Sequence, residues 1–199
     1  MRSLKEKKAR AYQLRARADK QAETHRLLAE AAFELHSTVG PSGTTISAIA
    51  ERAGVQRLTV YRHFADQGAI FAACTAHAFA LDPPPDPSRW APIANPAVRL
   101  RVALADTYGY YTRNHRLLMN IYRDIEMPVV ATEMARWGQM LAGWVAVLDA
   151  GWGEESRLRR AALGHAIDFG VWQSLTQTQG LSEDEAIEAM VRFVRVAAE

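Results

Sequence analysis

The sequence predicts an all-α protein, a small N-terminal trihelical unit followed by a larger helical domain, and three observations carry that prediction. Apolar residues recur at i, i+3, i+4 and i+7 from residue 24 almost to the end, and no strand-like alternating run of useful length interrupts them. Residues 44–64, TTISAIAERAGVQRLTVYRHF, hold two short helical patterns either side of one glycine. Charge is divided along the chain, twelve Lys/Arg against six Asp/Glu in residues 1–64 and twelve against sixteen in residues 65–199. A basic head on a mildly acidic body suits a polyanionic partner at one end only.

Residues 1–23 form a basic N-terminal arm. Nine Lys/Arg stand against Glu6, Asp19 and Glu23 in the first 26 residues, with a thin apolar stripe of Leu4, Ala11, Leu14 and Ala18. The composition predicts a frayed arm that leads into a helix and follows DNA phosphates or reaches a minor groove. A disordered solubilising tail or a cloning remnant is the competing reading. The first firm helix is expected over 24–39, with Leu28, Ala31, Ala32 and Leu35 on its buried stripe and Gly40-Pro41-Ser42-Gly43 as its breaker.

Within residues 44–64, Ile46, Ile49, Ala50 and Ala53 share one helical face, and the hydroxyl of Thr45 is placed to cap it. Gly54 supplies the left-handed position that a sharp turn needs. Val55, Leu58, Val60, Tyr61 and Phe64 are the apolar members of the second helix. That helix carries Arg57 and Arg62 and no acid, and Gln56, Thr59 and His63 also face outward. Such groups donate to phosphates or base edges, and a helix-turn-helix sets its second helix in the major groove. A helical hairpin with a solvated basic face is the alternative.

Residues 66–81 resume a helix from Asp66, so the trihelical unit and its connecting helix span 24–81. Cys74 and His77 stand three apart, but two ligands are not a metal site, and no metal or cofactor is expected. Six prolines between 82 and 96 make a linker, which Trp90 pins to a neighbouring surface. The larger domain spans 97–199. Helical patterns cover 96–113, 115–125, a run from Pro128 to Leu148, and 155–178. Gly180 ends the last of these, and Ser182 with Glu185 opens a final helix as a capping box. The final two patterns are apolar around much of their girth, which suits a four-helix dimer interface. His165, Phe169, Trp172, Met190 and Phe193 are its candidate residues.

The single cysteine excludes an internal disulfide framework. No secretory leader is visible, and no run of 18 apolar, charge-free residues exists, so a cytoplasmic protein without a membrane span is expected. An enzyme would have to draw on His165 and Asp168, at i and i+3, or on Tyr108 and Tyr111. None of these sits in a motif with chemical specificity, and no enzymatic activity is expected.

The chain resembles the TetR/AcrR-type transcriptional repressors. The resemblance is carried by Ala31, Ala32, Leu35, Gly40, Thr44, Thr45, Ile46, Ile49, Ala50, Ala53, Gly54 and Val55, and by the run Thr59-Val60-Tyr61-Arg62-His63-Phe64. It covers about residues 24–75, and the rest of the chain is similar only in length and helical layout. The resemblance implies a homodimer on a palindromic double-stranded DNA operator, with a small-molecule effector bound in the larger domain that releases it. An effector-independent DNA-binding protein is the alternative. It implies phosphate contacts from Thr45, Thr59, Tyr61 and His63, and base or groove contacts from Gln56, Arg57, Leu58 and Thr59; Arg62 completes the basic set. Three departures stand out: Gln56 where serine is frequent, His36 and Pro41 where aromatics are common, and Gln67 where a lysine is common. The effector pocket is expected among Tyr108, Tyr111, His115, Met119, Tyr122, Trp137, Met140, Trp144 and Trp172, a lining for an apolar or aromatic compound with one or two polar groups.

Overall fold

The computed structural model describes residues 4–198 and the side chains from residue 10 onward; Met1 to Ser3 of the arm and Glu199 at the end of the larger domain lie outside the described residues. Among the described residues the chain is all helix and turn, and it divides into two compact units.

The first unit holds α1 (Leu4–Thr38), α2 (Ile46–Arg52), α3 (Arg57–His63) and α4 (Gln67–Leu81), together with Asn120–Val130. Its core packs Leu28, Ala31 and Ala32 of α1 against Ile49 and Ala50 of α2, Val60 and Phe64 around α3, and Ile70 and Cys74 of α4. The arm and the first firm helix are one element, helical from Leu4. Ala, Arg, Lys, Gln and Leu dominate its N-terminal half, and all are strong helix formers, so the helix forms there with only a thin apolar stripe. It stops where Gly40 takes φ +86 and its N–H reaches Leu35 O at 3.1 Å. Carbonyls of the last turn are then closed from Asn120–Val130: Asn120 Nδ2 donates to His36 O and Ser37 O, and Arg123 donates to Val39 O at 2.9 Å. Asp124 accepts the Ser42 N–H at 2.9 Å, which fixes the loop that enters α2.

The second unit holds Asp82–Met119 and residues 131 onward. Its elements are most of α5 (Pro96–Arg123) and of α6 (Pro128–Asp149), with α7 (Arg157–Ala166), α8 (Phe169–Gln173) and α9 (Glu183–Val196). Trp90 anchors the proline-rich linker as expected: it is fully buried, its Nε1 donates to Asp106 at 2.8 Å, and its ring meets Trp144 edge-on. The fully formed capping box at Ser182 and Glu185 also agrees with the sequence.

Two expectations are corrected. The patterns at 96–113 and 115–125 are one helix. Asn114 between them donates to Tyr110 O and to Asp82, so it binds within and beside the helix without breaking it. Conversely, the single pattern over 155–178 breaks at Ile167 and Asp168. The carbonyls freed there are taken by side chains, Tyr108 OH donating to Ala166 O at 2.8 Å and Tyr111 OH to Ile167 O at 2.7 Å. Asp168 then caps α8 by accepting the Gly170 and Val171 N–H groups. Beyond α8 the chain makes a π turn over Ser174–Thr178.

Candidate nucleic-acid interface

Thr45 holds the start of α2, its hydroxyl oxygen accepting the Ala48 N–H at 3.1 Å. The turn follows as the glycine demands: Gly54 takes φ +66, and the Val55 N–H reaches Ala50 O at 2.9 Å. Gln56 is the N-cap of α3, but its side chain makes no capping bond and is left exposed, so it is available to a ligand. Val60 and Phe64 are buried and fasten α3 to α1 and α2.

The apolar assignment of α3 needs correction at two positions. Leu58 and Tyr61 are each 56% exposed. With Arg57 and Arg62 they occupy positions i, i+1, i+4 and i+5, which is one helical face, and that face looks to solvent. Arg52 of α2 is held by Glu34, whereas neither Arg57 nor Arg62 pairs with a carboxylate among the described residues. The face therefore presents two unneutralised guanidinium groups flanked by an aromatic hydroxyl and a leucine. Thr59 and His63 are half-buried at its margin, and Thr45 is exposed at the start of α2. The His63 pKa is lowered, first by burial and then by His25. His25 escaped the sequence reading. Its ring lies 4.8 Å from Phe64 and 6.2 Å from His63, so α1 passes the C-terminal end of α3. Its place seven residues before Ala32 on one face of α1 was the available signal.

The departures His36, Pro41 and Gln67 come together. They line a cavity of about 40 Å³ with Thr44, Ile46, Phe71 and Met127, among others. His36 is buried, its Nδ1 3.3 Å from Cys74 Sγ and its ring 5.1 Å from Phe71. Burial holds the His36 imidazole down to about 4 and pushes the Cys74 thiol up to about 12. His77 turns away from Cys74 to meet Phe33 edge-on. No cluster of three metal-ligating side chains occurs among the described residues.

In the second unit, Tyr111, His115, Trp137, Trp144 and Trp172 fall into a run of contacting rings, joined by Tyr110 and Phe169. Tyr110 stacks on Trp137 at 5.9 Å and was missed, because it lies between two residues of the expected lining. Burial pushes its hydroxyl up to about 12. Met140 is half-buried, Met119 is 37% exposed, and Tyr122 lies in the first unit. The Tyr108 and Tyr111 hydroxyls are engaged with carbonyls, but the buried Trp172 Nε1 and His115 Nε2 have no hydrogen-bond partner among the described residues. Of the interface candidates, Phe169 and Trp172 are 1% exposed and belong to this interior, so neither supplies dimer surface in this conformation. His165 and Phe193 lie exposed with rings 5.6 Å apart, Met190 is half-buried, and Leu158 of α7 and Val196 of α9 are exposed. Asp168 serves as the α8 cap.

The fold and this surface define a helix-turn-helix protein with a larger helical domain. Residues 28–74 match the family model described as "Bacterial regulatory proteins, tetR family". That segment contains α2, α3 and the turn between them. No curated protein matches the chain. Among solved structures, a Clostridium perfringens protein titled "putative fatty acid metabolism regulator" shares the fold, with TM-score 0.56 and 15% identity over 84% of this chain and 96% of that one. A TetR transcriptional regulator from Rhodococcus sp. RHA1 aligns with TM-score 0.49 and 20% identity over 86% of this chain and 95% of that one. Among the described residues, no helix is long and apolar enough to cross a membrane.

Proposed function

We propose that the chain is a ligand-responsive transcriptional repressor that binds a palindromic operator as a homodimer. The observation that carries the reading is the solvent-facing surface of α3, where Arg57, Leu58, Tyr61 and Arg62 are exposed on a helix whose other side is locked into a core. Arg57 and Gln56 read base edges, Arg donating bidentately to guanine. Thr45, Thr59, Tyr61 and His63 bond phosphates, which fix register. The unit over 24–81 does the reading, the linker over 82–96 joins it to the rest, and residues 97–199 bind effector and partner.

A small apolar or aromatic effector releases the DNA. Support comes from Trp172 Nε1 and His115 Nε2, two buried polar atoms without partners among the described residues, on rings 5.2 Å apart within the aromatic run. A buried donor left unbonded is costly, and a ligand carrying a hydrogen-bonding group would relieve it. Such a ligand acts only if it prefers one arrangement of the reading heads over another. Titration of the tryptophan fluorescence with apolar and aromatic compounds, beside release of a labelled operator, tests this part. Quenching that accompanies release is expected; release by polyanions alone would contradict it.

A further inference from the structure

The N-terminal half of α1 is a second DNA-contacting element, and we propose that it binds the phosphates of the duplex flanking each half-site, chiefly through Arg10 and Arg17. The inference rests on the proposed DNA-binding function but assigns a surface outside the helix-turn-helix.

The geometry comes from one helical face. Leu28 and Ala32 hold α1 to the core of the first unit. Continued toward the N-terminus, the same stripe carries His25, Gln21, Arg17, Leu14 and Arg10, at spacings of three and four residues. His25 rests on Phe64 and beside His63, so the stripe leaves the core at the C-terminal end of α3. From there to residue 10 every side chain but the half-buried Thr24 is exposed. At 1.5 Å per residue, Arg17 stands about 12 Å and Arg10 about 22 Å beyond His25, within one turn of B-form duplex, about 34 Å.

The charge and the apolar content decide the partner. Arg10, Arg15, Arg17 and Lys20 are opposed by Asp19 alone over residues 10–20, and Arg15, Arg17 and Lys20 pair with no carboxylate among the described residues. Arg26, nearer the core, is by contrast held by Glu23 and Glu30. Tyr12, Leu14 and three alanines are the apolar side chains of residues 10–20, too little to seat a second helix, since a coiled-coil seam needs a sustained apolar repeat. What remains is a rigid row of cations leaving the reading helix, which matches the regular negative charge of a duplex.

The test compares full-length parent, the double variant Arg10→Gln/Arg17→Gln, and Arg15→Gln on the opposite face of α1. Each is titrated against the selected operator with long flanks over a range of salt, with helix content checked by circular dichroism. Each phosphate contact contributes about 0.9 to the slope of log affinity against log salt, so the double variant should lose about 1–2 from that slope. Its preference for the operator over scrambled duplex should stay within about two-fold of the parent, since phosphate contacts carry no sequence. Arg15→Gln should keep the parental slope, and trimming the flanks should erase the difference between parent and double variant. An unchanged slope in the double variant, or an equal loss in Arg15→Gln, overturns the proposal while leaving the helix-turn-helix reading intact. Transfer of the same arginine dependence to phosphatidylserine vesicles, with none on flanking DNA, also overturns it. A parent that binds no duplex removes both.

Discussion

Arg57 and Tyr61, proposed to contact DNA, are exposed and stand apart from the core. Both side chains leave the core to Val60 and Phe64, so truncating them should cost little stability. Arg57→Ala should weaken binding to the selected operator by about 1–3 kcal/mol, measured by fluorescence anisotropy, with the melting temperature nearly unchanged. Equal affinity of variant and parent would remove Arg57 from the interface. His36 makes the opposite case, a polar group inside the core. Its pKa lies at about 4, chiefly because burial disfavours the imidazolium, while Asp124 pulls the other way. Between pH 6.5, the ordinary histidine value, and about 4, the unfolded chain takes up a proton that the folded chain refuses. Stability therefore falls as pH drops through that window, by up to about 3 kcal/mol, and this contribution is flat below it. Urea unfolding from pH 7 to pH 4 should show this slope in the parent and a flatter one in His36→Leu. Parallel curves would contradict the assignment. Asp124, held well below the usual carboxylate range by the Arg123 hydrogen bond despite its own burial, acts below this window.

At the scale of elements, what the sequence showed and what it hid have physical causes. The Thr45 cap, the Gly54 turn, the Asp66 start and the Ser182 capping box were legible because each is a local rule satisfied by neighbours in sequence. The break between α7 and α8 was hidden because its stabilisers are remote. The freed carbonyls are met by Tyr108 and Tyr111, about 58 residues away in sequence. Asp168 sits in the middle of an unbroken apolar pattern, where nothing local marks it as a cap. Asp168→Ala should lower stability by about 1 kcal/mol, seen as a lower denaturation midpoint with an unchanged denaturant slope. No change would mean that the tyrosine hydroxyls alone hold the break. The extent of α1 was hidden for a different reason. Helix propensity with only a thin apolar stripe leaves a weak periodic signal, so residues 4–23 read as a frayed arm.

The all-helical class and the helix-turn-helix were legible in the whole molecule, since both follow from periodicity and one turn. Which large side chains are surface and which are interior was not. Phe169 and Phe193 follow similar patterns in sequence, yet one is 1% and the other 45% exposed, and only three-dimensional packing distinguishes them. Leu158, Phe193 and Val196 are exposed, with His165 against Phe193, and we propose this surface for a partner copy. Phe193→Glu should convert a dimer to a monomer in sedimentation velocity at micromolar concentration, because it buries an unpaired charge in the interface. A parent that already sediments as a monomer would contradict the dimer.

The central claim, that two copies of α3 read a two-fold symmetric operator, is tested most directly by selecting bound sequences from random duplex DNA with the intact protein. The expected result is one enriched palindrome whose half-sites lie about 34–36 Å apart centre to centre, or a multiple of that. Recovery of no enriched sequence, or of a single asymmetric half-site, would contradict it.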